Sequence, residues 1–189
     1  MDIFKERRSI RSFRQSKLKK EDLDYIADCA RVAPSGANLQ PIKFCIITEK
    51  AAEIFPFVKW AGYLPEWTPK KDEAPTVYIA ILGDKNIKSD NFELDAGITG
   101  AAIVYSAESR GISSCWLGAI DREKISELLG LSENLKLLYL IALGEANQES
   151  EEIPMDDEKS EKDRVKYEMD EKGKVFVPKR SFAETVFYR

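Results

Sequence analysis

The residue types able to do chemistry concentrate in two short stretches. The first is Arg7-Arg8-Ser9-Ile10-Arg11, with Phe13 and Arg14 just beyond, so that four cations lie within eight positions. A guanidinium fork binds oxygen pairs bidentately, and guanidiniums beside a hydroxyl are what a phosphate monoester needs. A solvated basic end is the plainer reading, but Ile10 and Phe13 would anchor the arginines rather than leave them loose. The second is Ala33-Pro34-Ser35-Gly36-Ala37-Asn38-Leu39-Gln40-Pro41. Pro34 biases Ala33 away from helical geometry, Gly36 allows a close backbone approach, and Pro41 returns the chain to an extended path. Between the prolines, Ser35, Asn38 and Gln40 offer a hydroxyl and two amides that do not ionise, groups suited to a flat heteroaromatic ring with alternating carbonyls and nitrogens. A connecting loop that satisfies only its own backbone is the alternative.

Composition narrows the chemistry. The chain has no histidine, which removes Ser-His-Asp and Cys-His hydrolases and His-ligated metals, together with the usual proton carrier near neutral pH. Cys29, Cys45 and Cys115 are an odd number without Cys-x-x-Cys spacing, against both a disulfide framework and a zinc site. Carboxylate or lysine chemistry stays open, but an enzyme of this composition is expected to draw its difficult step from an organic cofactor rather than a metal. At 189 residues, 43% hydrophobic and 33% charged, the chain suits a single domain over 1–189. A net charge of −4 gives no general attraction to nucleic acid or an anionic membrane, and no apolar segment is long enough to span a bilayer, so a cytoplasmic protein is expected.

The elements that position these residues follow from periodicity. Residues 2–8 read as a short helix capped by Asp2, and Leu23, Ile26, Ala27 and Ala30 give a helix over 19–33 that delivers the chain to the Ser35–Gln40 loop. Strands are expected at 42–48, 76–82, 112–117 and 135–143, the last an interior one. A short helix over 51–55 stops near Pro56. The longest helix, 92–110, carries Gly97, Gly100, Ala101 and Ala102, so it lies centrally or pairs with its counterpart in a dimer, and Gly111 closes it. Asp121 and Gly130 bound a further helix. Residues 56–75 hold Trp60, Tyr63, Trp67 and four prolines, either a mobile cover over a planar substrate or an aromatic loop packed on the core or a partner. Residues 149–172 contain eleven acidic and five basic side chains, a net of −6, so the rest of a chain of −4 carries +2. That segment is expected to be a solvated, mobile loop. A β-like run over 174–178 then brings Lys179 and Arg180. Val186, Phe187 and Tyr188 make the tail too apolar to hang free, and residues 179–189 are expected to lie on a neighbouring subunit.

Taken in order, Arg7-Arg8-Ser9-x-Arg11, Pro34-Ser35-Gly36-x-Asn38-x-Gln40-Pro41, Gly111-x-x-x-Cys115-Trp116-Leu117-Gly118 and Lys179-Arg180 resemble the FMN-dependent nitroreductase family over nearly the whole chain. The resemblance implies an α+β fold with a mostly antiparallel central sheet flanked by helices, in an intertwined homodimer with FMN at the subunit interface. By position, Arg7, Arg8, Ser9 and Arg11, with Lys179 or Arg180, match the residues that hold the ribityl phosphate and the O2 side of the ring. Pro34, Ser35, Gly36, Asn38 and Gln40 match the loop given by the partner, and Leu117 and Gly118 the backbone lining the isoalloxazine near N5.

The implied activity is an FMN-dependent oxidoreductase that takes hydride from NADH or NADPH and reduces a nitroaromatic, quinone or similar electron-poor planar acceptor in a ping-pong cycle. Reductive dehalogenation, flavin cleavage at the same site, or a non-catalytic FMN-binding redox module are the alternatives. Two departures matter: Ile42 stands where many members have an aromatic residue, and Pro-Ser-Gly-Ala resembles the deiodinase branch. That branch's lid runs Glu, Tyr, Lys, whereas Tyr63, Glu66 and Lys70 come in a different order here, so a halotyrosine substrate is not carried over.

Overall fold

The computed structural model describes residues 2–189. Its main sheet has five strands, β1 (Phe13–Arg14), β2 (Ile42–Ile47), β3 (Val77–Asp84), β4 (Ser113–Leu117) and β5 (Leu135–Ala146). All pairings within it are antiparallel, in the order β2-β3-β5, with β4 and β1 sharing the far edge of β5. The continuous apolar runs of β3 and β5 arise because both faces of the sheet are covered. Tyr78, Ala80 and Leu82 join a core with Phe13, Ile54, Leu117 and Ile125, while Val77, Ile79 and Ile81 join another with Leu23, Ile26, Phe92 and Ile103. A bulge sits where Ile81 pairs Tyr139 but Leu82 pairs Leu137, and there the alternation of β5 slips: Leu138 and Tyr139 both face the second core.

Helices α2 (Lys20–Arg31) and α4 (Glu93–Ser109) cover one face of the sheet. The short α3 (Ala51–Ile54) and α5 (Arg122–Leu129) cover the other. Asp121 caps α5 by accepting from the Lys124 backbone N–H at 3.2 Å, and Gly130 ends it in the left-handed region, as the pattern predicts. Helix α1 (Ile3–Glu6) lies against α4 but is not capped by the Asp2 side chain; instead the Asp2 backbone N–H donates to Glu6 Oε1 at 3.0 Å. The α-helix α3 ends at Ile54, near Pro56 as expected. A 3-10 turn over Phe55–Phe57 carries the chain on, since a proline there surrenders no backbone bond the first turn could make.

The acidic segment departs from expectation. Its residues Ser150–Pro154 form β6 and Glu168–Met169 form β7, which flank β8 (Val175–Lys179) in a second sheet, parallel on one side and antiparallel on the other. Cations absorb its charge: Arg164 pairs with Asp157, Glu161 and Glu184, Arg180 with Glu161, Arg8 with Glu152 and Lys174 with Glu151. A count of like charges carries no trace of partners so distant in sequence. Past β8, helix α6 (Phe182–Thr185) is capped by Ser181, and Phe182, Phe187 and Tyr188 are exposed.

Helix α4 is held against the sheet by one notch. A Cβ at Gly100 would lie 1.9 Å from Trp116 Cζ3, so the indole of β4 occupies the place of a side chain, with Tyr139 edge-on to it at 5.2 Å. Gly100→Ala is expected to lower stability by about 1–3 kcal/mol through overpacking, although alanine favours helix by about 1 kcal/mol. Urea unfolding checks the sign: a more stable variant would mean that the notch is not close-packed.

Candidate functional site

The arginine stretch is laid along β4. Ser9 bridges to Ser114 in parallel register and the Ile10 N–H donates to the Ser114 carbonyl at 3.0 Å, while Ile10 and Phe13 are buried. These contacts fix the backbone from which the guanidiniums project. Arg7 sits over the Tyr105 ring at 5.9 Å and Arg11 over Tyr167 at 4.5 Å, and among the described residues neither has a carboxylate within ion-pair distance. Arg8 donates from one terminal nitrogen to the Arg7 carbonyl at 2.7 Å and from the other to Glu152 Oε2 at 2.6 Å. The Nε atoms of Arg7 and Arg8 and the Ser114 hydroxyl oxygen are buried without a hydrogen-bond partner. Glu108, on the last turn of α4, borders the same cavity of about 520 Å³ as Arg8. Burial pushes its carboxyl above the ordinary range, against the pull of Arg7 and Arg8.

The 34–41 loop is organised by a residue that pattern reading passed over. Asp95, in the first turn of α4 and 3% exposed, accepts from the Ser35 hydroxyl at 2.9 Å, from the Gly36 N–H at 3.0 Å and from Lys88 Nζ at 2.9 Å. Ser35 in turn accepts from the Gln40 N–H at 3.0 Å, and the Gln40 amide donates to the Asn38 carbonyl and side-chain oxygen. Burial pushes the Asp95 carboxyl upward, but the three donors and the Lys88 charge outweigh it and leave the group below its usual range. Gly36 is not where the backbone is strained. Ala37, Asn38 and Gln40 hold φ of 49°, 56° and 52°, a left-handed cluster of non-glycine residues that the Asp95 network maintains. Ser35, Gln40 and Asp95 line a cavity of about 290 Å³.

Leu117 ends β4 with its side chain in the core, and Gly118 follows at the edge of a cavity of about 550 Å³ shared with Phe57 and Lys59. The start of the 56–75 segment is pinned there: the Lys59 N–H donates to Ala119 and the Asp121 N–H to Phe57, both at 2.9 Å. Val58, Ala61 and Ala74 are buried, whereas Tyr63 is exposed and meets Tyr167 at 5.2 Å, so both ends of the segment are packed and its middle faces outward. Lys179 and Arg180 border a separate cavity of about 530 Å³, and Glu152 borders both this one and that of Arg8.

The fold therefore brings some of the expected residues together and parts others. Along β4, Ser114 beside the arginines and Gly118 lie four residues apart, about 13 Å in extended chain. That length separates the cavity bordered by Arg8 from the one bordered by Gly118. Asp95 and Glu108, by contrast, are thirteen residues apart on α4, about 20 Å, so one chain keeps Ser35, Asn38 and Gln40 far from its own arginines. Sequence reading missed Asp95, Ser114, Glu152 and Tyr167. Only Asp95 had a signal, an acidic residue in a first helical turn.

This fold and this donor set define a class, and the comparisons agree. The sequence model of the Nitroreductase family matches residues 4–145. The chain belongs to the Nitroreductase family and is an oxidoreductase. A protein of Archaeoglobus fulgidus with a provisional NADH dehydrogenase/NAD(P)H nitroreductase name is 28% identical over 158 residues, 80% of this chain and 87% of its own. The iodotyrosine deiodinase of Thermotoga neapolitana is 24% identical over 164 residues, 76% of this chain and 86% of its own. An FMN-dependent nitroreductase of Clostridium difficile R20291 superposes with a TM-score of 0.66 at 24% identity, covering 85% of this chain and 95% of that one. No helix among the described residues is long and apolar enough to cross a membrane.

Asp95→Ala strands Lys88, the Ser35 hydroxyl and the Gly36 N–H, and is expected to cost about 2–4 kcal/mol in denaturant unfolding. Because the folded carboxyl lies below its usual range, its contribution is complete above about pH 4 and is lost as pH falls through the folded value. The difference in stability between wild type and Asp95→Ala should therefore shrink in acid, and a difference independent of pH would remove this role.

Proposed function

We propose that this chain is one half of a homodimeric, FMN-dependent NAD(P)H oxidoreductase acting on electron-poor planar acceptors such as nitroaromatics or quinones. The observation that carries the proposal is the line along β4, with Arg7 and Arg11, which among the described residues have no carboxylate partner, at one end and the backbone of Gly118 about 13 Å away. When bound, FMN would supply reversible two-electron chemistry, taking hydride from the nicotinamide and returning it to the acceptor in a ping-pong cycle.

The residues divide the remaining work. Arg7, Arg8, Ser9 and Arg11, with Lys179 or Arg180, bind the phosphate and put positive charge where the reduced cofactor is anionic, which favours reduction. Leu117 and Gly118 present backbone to the ring edge. Pro34, Ser35, Gly36, Asn38 and Gln40 of a second copy brace the ring, an assignment supported by the length of α4 that separates this loop from the arginines of its own chain. The exposed Phe182, Phe187 and Tyr188 of the 179–189 tail and the exposed Leu94 on α4 supply apolar surface for that second copy. The 56–75 segment, pinned at both ends and open in the middle, excludes water and selects the acceptor. Hydride transfer needs no side chain as a general base.

Purified protein is expected to turn yellow with FMN, and NADH or NADPH to bleach it in the absence of air. Arg7→Ala or Arg11→Ala is expected to cost about 1.5–3 kcal/mol, roughly a ten- to hundred-fold rise in FMN Kd by fluorescence titration. A protein that stays colourless with excess FMN excludes the flavin; one that binds FMN but bleaches with neither nucleotide excludes the reductase.

A further inference from the structure

Arg8 is buried to 14% side-chain exposure, and its guanidinium is bound by a carboxylate of its own chain. Arginine grips a planar or tetrahedral oxyanion best along the edge formed by Nε and the terminal nitrogen beside it, where two parallel N–H bonds form. Here Glu152 Oε2 takes the terminal nitrogen Nη2 at 2.6 Å, and Nε, the other half of that edge, is buried with no acceptor. The second terminal nitrogen is spoken for by the Arg7 carbonyl at 2.7 Å, which orients the plane of the group. A buried N–H without an acceptor costs free energy that a one-oxygen contact from Glu152 does not recover. The edge is thus half-filled by a carboxylate and shaped for an anion with more oxygens.

We propose that Glu152 is a competitor built into the chain, holding the phosphate-binding edge of Arg8 until the phosphate of FMN displaces it. The proposal rests on the flavin reading above and adds to it a residue that sets cofactor affinity. Glu152 stands on β6, beside β8, and borders both the cavity of Arg8 and that of Lys179 and Arg180. On displacement the carboxylate leaves the edge and the phosphate takes both Nε and Nη2. Exchange of one anion for another leaves Arg8 neutralised throughout, so the arginine is never buried as an uncompensated charge. Apparent FMN affinity is the intrinsic affinity scaled by the fraction of molecules in which Arg8 is free.

The test is a fluorescence titration of wild type, Glu152→Gln and Glu151→Gln with FMN, and in parallel with riboflavin, which lacks the phosphate. Glu151 pairs with Lys174, so Glu151→Gln makes the same change in net charge without freeing Arg8. Glu152→Gln is expected to lower the FMN Kd about three- to ten-fold and to leave riboflavin binding within about two-fold, while Glu151→Gln changes neither. Glu152→Asp, which keeps the charge but shortens the reach to Arg8, is expected to tighten FMN binding as well and serves if the glutamine variant does not fold. Equal or weaker FMN binding by the Glu152 variants, or equal tightening by Glu151→Gln, overturns the proposal while the flavin reading stands. No FMN binding by wild type and variants alike takes down both.

Discussion

The seating of Trp116 in the gap left by Gly100 is the contact on which the arrangement of this protein depends. It locks α4 lengthwise on the sheet, and α4 is the element that reaches both functional regions. Asp95 at one end binds the 34–41 loop; Tyr105 and Glu108 near the other meet Arg7 and Arg8. A helix sliding along the sheet would misplace both sets of polar groups at once. Gly100 serves this close approach, whereas Gly97 faces open space and the same helix leaves Leu94 exposed.

Burying both faces of an antiparallel sheet has a consequence for chemistry. With β3 and β5 enclosed by two cores, the polar groups that surround Arg8 and the 34–41 loop lie on the edge strand β4, on β6, at the ends of α4 and in the loops. The edge is where Ser9 and Ile10 dock, and the arginines they carry remain short of acceptors. At the helix N-terminus, Asp95 gathers a serine hydroxyl, a backbone N–H and a lysine, and so anchors the start of a loop in which Ala37, Asn38 and Gln40 are left-handed.

Much of this was legible beforehand. The strands around Ile42, Val77, Ser113 and Leu135 and the caps at Asp121 and Gly130 follow from local periodicity and turn chemistry, whereas the antiparallel α+β class followed from the family resemblance. Family membership follows from four motifs in order. The acidic segment misled because composition counts like charges without their partners: Arg8, Lys174 and Arg180 come from outside the stretch or beyond its end. At Gly36 the close backbone approach is to Asp95, while the left-handed backbone falls on its neighbours Ala37, Asn38 and Gln40.

What the amino-acid order determines by itself is whatever depends on near neighbours. That covers helices and strands with their caps, the absence of histidine chemistry, and the pairing of a guanidinium stretch with an amide-rich loop suited to a phosphate and a flat ring. Tertiary structure decided what those groups meet. Asp95 beneath the loop, Glu152 on Arg8, Tyr167 beneath Arg11, and the length of α4 between loop and arginines are relations among residues dozens of positions apart. Such pairings are set by how two cores close around one sheet, and no local pattern encodes them.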